Sequence, residues 1–277
     1  MRNQKHLIAV DLDGTLLTDD KRITDETKRV LNHLIDEGHI VVIATGRSKR
    51  VSIDFYHELG LTTPLINSNG AVMHHPKNKS WGVHHTPLQH KTALDIVDMS
   101  YDFQSENILA TVHDRVIIDQ FDQRIMDFYQ VTEKDQSFKI GTLKDHLTED
   151  PTLMLLYPNV EQVDKITDEL TNVHADVITH RSWGEPYHII EIMNKDMNKA
   201  VAVQKVANEY GIPTERIIAF GDGSNDLEMI DSAGIGVAME NAIPELKSLS
   251  KYSTITNEEH GVAHFLTDYF NLAKSLT

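Results

Sequence analysis

The sequence predicts an α/β protein, a doubly wound parallel sheet into which a smaller α+β domain is inserted. Short apolar runs of strand length alternate with amphipathic helical runs over the first 85 residues, and this rhythm returns after residue 190. Between them the pattern changes to hairpin-like strands and separate helices. A chain of 277 residues is long enough for both parts. We therefore predict a core domain formed by residues 1–85 and 190–277, and an inserted domain formed by residues 86–189.

The first core segment alternates strands with helices and ends in an Asn-Gly turn. Its predicted elements are the strands Leu7–Leu12, Ile40–Ala44 and Leu65–Asn67, the helices Thr24–Glu37 and Ser48–Leu59, the turn Asn69-Gly70 and the extended stretch Val72-Met73. Parallel strands joined by helices place their carboxyl ends at one edge of the sheet, so the residues after each strand are the ones to inspect.

The insert combines helices with a hairpin around His113-Asp114. Its predicted elements are the helices Gln89–Tyr101 and Val160–Thr171 and the strands Ile108–Val112, Val116–Asp119, Leu153–Tyr157, Val177–Arg181 and His188–Met193. The second core segment then resumes the alternation. Its predicted elements are the helices Asn198–Tyr210, Asn225–Ile230, Pro244–Leu249 and His260–Leu272 and the strands Ile217–Phe220 and Ile235–Ala238.

Composition narrows the classes of partner. A formal net charge of −16 disfavours nucleic acid as a partner. The sequence has no cysteine and no long apolar stretch near its start, so we expect a cytoplasmic protein without a membrane partner. The pattern does not distinguish a monomer from a small homo-oligomer.

The strongest motif is the pattern D-x-D-G-T, which directly follows the first strand. Asp11 and Asp13 lie on the same side of an extended backbone because they are two residues apart. Both carboxylates can therefore approach one substrate atom. Such a pair allows divided roles, with one carboxylate attacking phosphorus and the other exchanging protons with the leaving group and with water.

A second motif, Ala44-Thr45-Gly46-Arg47, follows the second apolar strand. In a parallel sheet the Thr45 hydroxyl reaches the same edge as Asp11, where it can donate to a phosphoryl oxygen. Arg47 has two interpretations, because it could bind phosphate or cap and solvate the start of the next helix.

Two further signals come from the second core segment. Lys199 lies near the start of a helix at the return to the core, where phosphoryl transfer requires a cation, and Lys195 is the competing candidate. Asp222 and Asp226 lie in a glycine-containing loop after an apolar strand. Carboxylate ligands in a chain without cysteine favour Mg²⁺ over zinc.

In this order, the motifs around Asp11, Thr45, Lys199 and Asp222 resemble those of the haloacid dehalogenase-like superfamily, most closely its Cof-type, sugar-phosphatase-like branch. Further matching segments are Asn69-Gly70-Ala71, Gly236-Val237-Ala238-Met239, Asn241-Ala242, Thr256-Asn257 and Gly261-Val262-Ala263. The resemblance covers both core segments, whereas the insert matches in size and mixed character. One departure is Ala200 after Lys199, where the family often has glycine.

The resemblance implies a Rossmann-like core with a C2-type cap and a Mg²⁺-dependent phosphatase acting on a small phosphorylated metabolite. It implies that Asp11 is the nucleophile, that Asp13 is the acid and base, and that the Asp11 carboxylate, the Asp13 backbone carbonyl and Asp222 hold the metal. The remaining candidate residues are Thr45, Gly46, Lys199 and Asn225 for phosphate binding, Asp226 with Asn225 for ordering the loop, and Arg47, Asn69 and Gly70 for substrate contact. Sugar phosphates, nucleotides and phosphorylated cofactors all fit as substrates.

Other functions remain open at the level of sequence. A phosphosugar mutase uses the same aspartyl-phosphate, and product analysis distinguishes it from a phosphatase. A phosphorylated signalling module needs neither the carboxylate of Asp13 nor an insert of this size. A sensor that binds a phosphorylated ligand without turnover keeps the same residues, and a metal-dependent turnover assay separates it.

Overall fold

A computed structural model describes residues 4–129, 131, 135–184 and 188–272. The chain divides into two compact units. The core unit is formed by Met1–His84 and Asn198–Thr277, and the inserted unit by His85–Met197.

Strands and helices alternate in both segments of the core unit. The first segment contains β1 (Leu7–Val10), α1 (Asp25–Asp36), β2 (Ile40–Ile43), α2 (Lys49–Glu58), β3 (Leu65–Asn67), β4 (Val72–His74) and β5 (Val83–His85), the last of which ends on the first residue of the inserted unit. The inserted unit contains α3 (His90–Asp102), β6 (Asn107–Val112), β7 (Arg115–Ile118), α4 (Gln123–Phe128), β8 (Phe138–Ile140), α5 (Leu143–His146), β9 (Leu153–Tyr157), α6 (Val163–His174), β10 (Ile178–Ser182) and β11 (Ile190–Asn194). The second core segment contains α7 (Lys199–Glu209), β12 (Ile217–Gly221), α8 (Leu227–Ser232), β13 (Ile235–Ala238), α9 (Pro244–Leu249), β14 (Tyr252–Ser253) and α10 (Gly261–Phe270).

The main sheet of the core unit has the strand order β14-β13-β12-β1-β2, and every pair in it is parallel. Helix α1 packs against α10, and α7 packs against α8. Strand β1 lies between β12 and β2, so the residues that follow these three strands emerge side by side at one edge. The predicted α/β class with a parallel sheet is confirmed.

Burial explains why these short segments form strands and helices. All residues of β1 are fully buried, as expected for a central parallel strand with both faces covered. Helix α1 is amphipathic and buries Val30, Leu31 and Leu34 on one face. Its start is capped by Thr24, whose side chain accepts a hydrogen bond from the backbone N–H of Thr27.

The inserted unit is built on a second sheet with the strand order β10-β11-β9-β6-β7-β8. Its pairs are antiparallel except β7 with β8. Apolar side chains of this sheet and of helices α3 and α6 form a separate hydrophobic core that includes Ile96, Ile108, Leu156, Leu170 and Ile192. This unit has the mixed α+β character that the sequence predicts.

The predicted end of the insert at residue 189 is too early, since the inserted unit continues to Met197. The physical reason is strand pairing: β11 is hydrogen-bonded to β10 on one side and to β9 on the other, so it belongs to the inserted sheet.

Several local boundaries also differ from the prediction. Strand β1 ends at Val10, and the predicted helix from Asn225 is a 3₁₀ turn over Ser224–Asp226 followed by α8. The sequence prediction does not include the short elements β5, α4, β8, α5 and β14, which have too few residues to show a periodicity.

Among the helices of the described residues, none combines the length and the apolar character needed to cross a membrane.

Candidate active site

Asp11 follows β1 directly and lies at the carboxyl edge of the main sheet. The residue is 5% exposed, and its Oδ1 atom accepts a hydrogen bond of 2.6 Å from the Nζ atom of Lys199. The same Nζ atom donates to Oδ1 of Asp226 at 2.7 Å. Lys199 is fully buried, so its charge is compensated by these two carboxylates.

Lys199 is brought to Asp11 by the start of α7, of which it is the first residue. Asn198 caps this helix by accepting a 3.0 Å hydrogen bond from the backbone N–H of Val201. Gly70 lies against the same helix start, with a φ of +101°. A Cβ atom at Gly70 would lie 2.5 Å from the backbone oxygen of Asn198, so glycine is needed for this close approach.

Asp222 and Asp226 come from the loop after β12. The Oδ2 atom of Asp226 accepts from the backbone N–H groups of Asp222 and Gly223, both at 3.1 Å, which fixes the turn. Thr15 donates to Oδ1 of Asp222 at 2.8 Å. Gly14, with a φ of +72°, lies so close that a Cβ atom there would be 2.2 Å from Oδ2 of Asp222.

The described residues contain one cluster of side chains able to hold a metal ion, formed by Asp11, Asp222 and Asp226. One oxygen atom from each lies within 4.8 Å of the others. Burial raises the pKa of Asp11 to about 8, and the charges of Asp226 and Asp222 add to this rise while Lys199 opposes it. Burial and the charge of Asp226 also raise the pKa of Asp222 to about 6. With Lys199 as the cation of the cluster, the ionised forms of Asp11 and Asp222 are therefore disfavoured.

Asp13 faces a different set of partners. Arg47 holds its carboxylate bidentately, from Nε to Oδ2 and from Nη2 to Oδ1, both at 2.6 Å, and Lys21 donates to Oδ1 at 2.8 Å. Burial acts to raise the pKa of Asp13, but the hydrogen bonds from Arg47 and Lys21 outweigh it and lower the pKa to about 2. Arg47 is itself anchored, since it donates to the Val51 carbonyl at 3.2 Å and lies over the ring of Phe55.

The loop after β2 is held by backbone contacts. The buried Thr45 hydroxyl accepts from the N–H of Arg47 at 3.1 Å, and the Thr45 carbonyl accepts from the N–H of Asn69 at 3.0 Å. Asn225 donates through Nδ2 to Oδ1 of Asn69 at 3.0 Å. A Cβ atom at Gly46 would lie 3.2 Å from that same oxygen, so Gly46 leaves room for this pair.

The structure thus brings Asp11, Asp222, Asp226 and Lys199 together, as the motifs predict. Of the two lysines considered, Lys199 contacts Asp11, while Lys195 is exposed. The side chain of Asp13 lies outside the carboxylate cluster, whose third member is Asp226, and the predicted role of the Asp13 backbone carbonyl stays a prediction.

The guanidinium of Arg47 binds Asp13 rather than capping or solvating the start of α2, and phosphate binding by Arg47 stays a prediction. Ser48, at the start of that helix, makes no capping hydrogen bond through its side chain.

Sequence reasoning missed three groups of contacts. Thr15 belongs to the first motif, and its position after Gly14 was a usable signal for a partner of Asp222. Lys21 lies in a loop without any motif, so nothing in the sequence indicated its contact with Asp13. Asn241 and Asn257 hold the first motif's loop by donating to the carbonyls of Gly14 at 2.7 Å and Leu17 at 2.9 Å.

Comparison with known proteins agrees with this geometry. The chain is 46% identical over 272 residues to 5-amino-6-(5-phospho-D-ribitylamino)uracil phosphatase YitU of Bacillus subtilis (strain 168), and the alignment covers 98% of this chain and 100% of that protein. It is 31% identical over 262 residues to the phosphatase YcsE of the same organism, whose name gives the same substrate, with 93% and 92% covered.

A similar fold occurs in a solved structure, that of a haloacid dehalogenase-like hydrolase from B. subtilis. The TM-score is 0.80 at 27% identity, with 95% of this chain and 99% of that chain covered. A family model described as haloacid dehalogenase-like hydrolase matches residues 8–266, nearly the whole chain. The predicted enzyme class is confirmed, and the chain belongs to the haloacid dehalogenase-like hydrolase family.

Proposed function

We propose that this protein is a Mg²⁺-dependent phosphatase that hydrolyses small phosphomonoesters through an aspartyl-phosphate on Asp11. The observation that carries the proposal is the buried Asp11 carboxylate at the end of β1, which contacts Lys199 at 2.6 Å and lies in one cluster with Asp222 and Asp226. A carboxylate that attacks a phosphate dianion needs positive charge nearby. Lys199 supplies one such charge, and the carboxylate cluster can hold a metal ion that supplies more.

Asp11 attacks phosphorus with a carboxylate oxygen, and the bond from phosphorus to the ester oxygen breaks with its electron pair going to that oxygen. Asp13, which Arg47 and Lys21 hold ionised in the free protein, takes up a proton as the phosphate ester binds and gives it to this leaving oxygen, which departs as an alcohol. A water molecule then attacks phosphorus and gives one proton to Asp13. The bond from phosphorus to the Asp11 oxygen breaks, and its electron pair returns to the Asp11 carboxylate. Phosphate is released, and loss of this proton from Asp13 regenerates the starting enzyme.

Lys199 contributes a fixed positive charge in this sequence of steps. It is buried between Asp11 and Asp226, and its pKa is raised because the charges of these two carboxylates outweigh the opposing effect of burial. The ammonium group therefore stays protonated and can neutralise charge on the equatorial phosphoryl oxygens. Thr45 adds a hydroxyl that remains able to donate, since its oxygen accepts only from a backbone N–H among the described contacts.

The residues present fit a magnesium ion. The cluster offers hard carboxylate oxygens with no sulfur, and a bound cation would favour the ionised forms of Asp11 and Asp222, which burial disfavours. Asp11 and Asp222 would hold the ion together with the backbone carbonyl of Asp13, and Asp226 would order the loop and Lys199. When bound, Mg²⁺ supplies positive charge to the phosphoryl group and lowers the repulsion between it and the carboxylates.

The leaving group that we propose is a small polyhydroxylated metabolite. Two relatives are named as phosphatases of 5-amino-6-(5-phospho-D-ribitylamino)uracil, one of them at 46% identity over the full length. This compound is therefore the first candidate substrate, ahead of simple sugar phosphates, nucleotides and other phosphorylated cofactors. The inserted unit has its own sheet and hydrophobic core, and we propose that it recognises the leaving group.

The test is phosphate release from a panel containing 5-amino-6-(5-phospho-D-ribitylamino)uracil, sugar phosphates, nucleotides and pyridoxal phosphate. Each compound is assayed with Mg²⁺ and with excess chelator, using wild type and Asp11→Asn. We expect release that needs Mg²⁺ and Asp11, with the highest kcat/KM for the ribitylaminouracil phosphate.

The result that would oppose the proposal is release that persists in Asp11→Asn or that is insensitive to the chelator. Transfer of phosphate to a second hydroxyl of a sugar phosphate, without release, would favour a mutase instead.

A further inference from the structure

A pair of amide side chains joins three loops at the carboxyl edge of the main sheet, and the proposed mechanism assigns it no role. Asn225, in the loop after β12, donates through Nδ2 to Oδ1 of Asn69, in the loop after β3, at 3.0 Å. The pair lies against the loop after β2, since a Cβ atom at Gly46 would be 3.2 Å from Oδ1 of Asn69 and 3.5 Å from Nδ2 of Asn225. Three segments that are distant in sequence therefore meet at this hydrogen bond.

The loop that carries Asn69 is hydrogen-bonded to the loop after β2. The backbone N–H of Asn69 donates to the Thr45 carbonyl at 3.0 Å, and the N–H of Ser68 donates to the Arg47 carbonyl at 3.1 Å. Asn67 donates through its side-chain Nδ2 to the same Arg47 carbonyl at 2.9 Å. The place of Asn69 in the site is therefore set by contacts that its own side chain does not make.

The backbone of this loop is strained. Ser68 and Asn69 both adopt the left-handed conformation, with φ of +48° and +51°, and both residues are buried. This conformation is uncommon for residues with a side chain, and such strain collects at functional sites. Glycine adopts it without strain, so the backbone alone does not explain an asparagine at position 69. Its side chain is the feature that needs a role.

The carboxamide nitrogen of Asn225 carries a second hydrogen beyond the one given to Asn69. Within the ranges that the structure describes, no acceptor contacts this second hydrogen. Asn225 directly precedes Asp226, which binds Lys199 beside Asp11. The unused donor therefore belongs to the loop that borders the proposed phosphoryl site.

We propose that Asn69 is a positioning residue, which orients the carboxamide of Asn225 so that its second N–H donates to a phosphoryl oxygen bound at Asp11. The terminal torsion of asparagine has two-fold preferences, so a freely turning amide would also present its oxygen, which repels an anion. By accepting from Nδ2, Asn69 selects the orientation with the donor towards the phosphoryl group. This inference rests on the proposed function, in which that group lies beside Asp11.

The proposal predicts that loss of the Asn69 side chain weakens phosphate binding and leaves Mg²⁺ binding unchanged. The loop that carries Asp222 is held by other contacts. Asp226 accepts from the backbone N–H of Asp222 at 3.1 Å, and Thr15 donates to the Asp222 carboxylate at 2.8 Å. A residue that only orients Asn225 should therefore not affect the metal, whereas a general loosening of the site would weaken the binding of both ligands.

The experiment is a calorimetric titration of inorganic phosphate into wild type, Asn69→Gly, Asn225→Ala and the double variant, each with Mg²⁺. Glycine at position 69 keeps the left-handed backbone and removes the acceptor. We expect Asn69→Gly to raise the Kd of phosphate about tenfold, close to the loss of one hydrogen bond to a charged group. In the Asn225→Ala background, the same substitution should change the Kd by less than about twofold, because Asn69 acts through Asn225.

The matched control is Asn271→Gly. Asn271 also has a left-handed backbone, with a φ of +56°, but it is exposed and follows α10 rather than a strand of the sheet. Its affinities for phosphate and Mg²⁺ should equal those of wild type. Unchanged phosphate affinity in Asn69→Gly, losses that add in the double variant, or an equal loss of Mg²⁺ affinity would overturn the role of Asn69.

Failure of the proposed function would be seen separately, as a wild-type protein that binds phosphate but hydrolyses none of the phosphate esters with Mg²⁺. The titrations would then still decide the role of Asn69, because they measure binding and not turnover. A wild-type protein that binds no phosphate would overturn the inference.

Discussion

At the scale of single residues, the site depends on a few charged side chains held in direct contact with one another. Lys199 is fully buried between Asp11 and Asp226, and Arg47 forms a fork with Asp13. The sequence predicted Asp11, Asp13, Lys199 and Asp222 because each follows a strand or starts a helix in a fixed motif order. It left the role of Arg47 open because the partner of an arginine depends on side-chain packing that no spacing encodes.

Lys199→Met is predicted to destabilise the fold as well as stop turnover. The substitution leaves two carboxylates buried without their cation, which costs about 3–5 kcal/mol of the free energy of unfolding. Chemical denaturation measures this loss, and phosphate release measures the activity. Lys195→Met is the matched control, since Lys195 is exposed and should tolerate the change in both assays. A Lys199→Met variant as stable as Lys195→Met would contradict the account of the buried charges.

At the scale of elements, the site is formed by the loops that follow neighbouring strands of the main sheet. Two apolar runs, each followed directly by Asp-x-Asp-Gly or Gly-Asp-Gly, predicted β1, β12 and the loops after these strands. The same approach failed for β5 and β14, which contain three and two residues. It also misplaced the end of the insert, because the pairing of β11 with β9 and β10 joins segments distant in sequence.

Gly14→Ala is predicted to displace Asp222 and so weaken Mg²⁺ binding. The new methyl group would lie 2.2 Å from a carboxylate oxygen of Asp222. Gly60→Ala is the matched control, because Gly60 has a similar φ of +64° with no atom within 4 Å of the added methyl group. Both variants carry the strain of a left-handed alanine, about 1–2 kcal/mol. Calorimetric titration with Mg²⁺ should show weakened binding for Gly14→Ala only; equal affinities would contradict the prediction.

The end of β5 contributes a predicted pH dependence of the stability of the inserted unit. His85 lies 2.9 Å from the Thr152 hydroxyl and 4.1 Å, between ring centroids, from His113. Burial and the charge of His113 lower the pKa of His85 from 6.5 to about 4, although Asp150 opposes this. The unfolded chain therefore binds a proton between these pH values when the folded protein does not, and stability is lost as the pH falls through this window.

Unfolding by denaturant at several pH values tests this dependence. His85→Gln cannot be protonated and should lose less stability than wild type between pH 6.5 and pH 4. His57→Gln, at an exposed histidine, should behave as wild type. Identical pH profiles for His85→Gln and wild type would exclude His85 as the source.

At the scale of the whole molecule, an acidic chain carries a site for a phosphate dianion. The net charge of −16 and the carboxylate cluster both oppose binding of such a ligand, so the cations of the site must be supplied locally. The sequence predicted the family, the parallel core and an inserted α+β domain. It did not predict the substrate, since no motif in the sequence identifies the side chains that contact the leaving group.

Mg²⁺ is predicted to stabilise the protein against heat because it binds the folded carboxylate cluster and not the unfolded chain. At a free concentration 100 times the Kd, the gain is about 2.7 kcal/mol. Differential scanning calorimetry with Mg²⁺ and with chelator measures the shift in Tm. Asp222→Asn should reduce the shift, whereas Asp231→Asn, at an exposed residue of α8, should keep it. A full shift in Asp222→Asn would contradict the assignment of the metal ligands.

The central claim, that Asp11 is the nucleophile, is tested most directly by trapping the phosphorylated enzyme. A ³²P-labelled substrate is mixed with excess enzyme and Mg²⁺, the reaction is quenched in acid within milliseconds, and the labelled peptide is identified by mass spectrometry. The account predicts transient label on Asp11 and none in Asp11→Asn. Label on another residue, or turnover by Asp11→Asn at the wild-type rate, would contradict it.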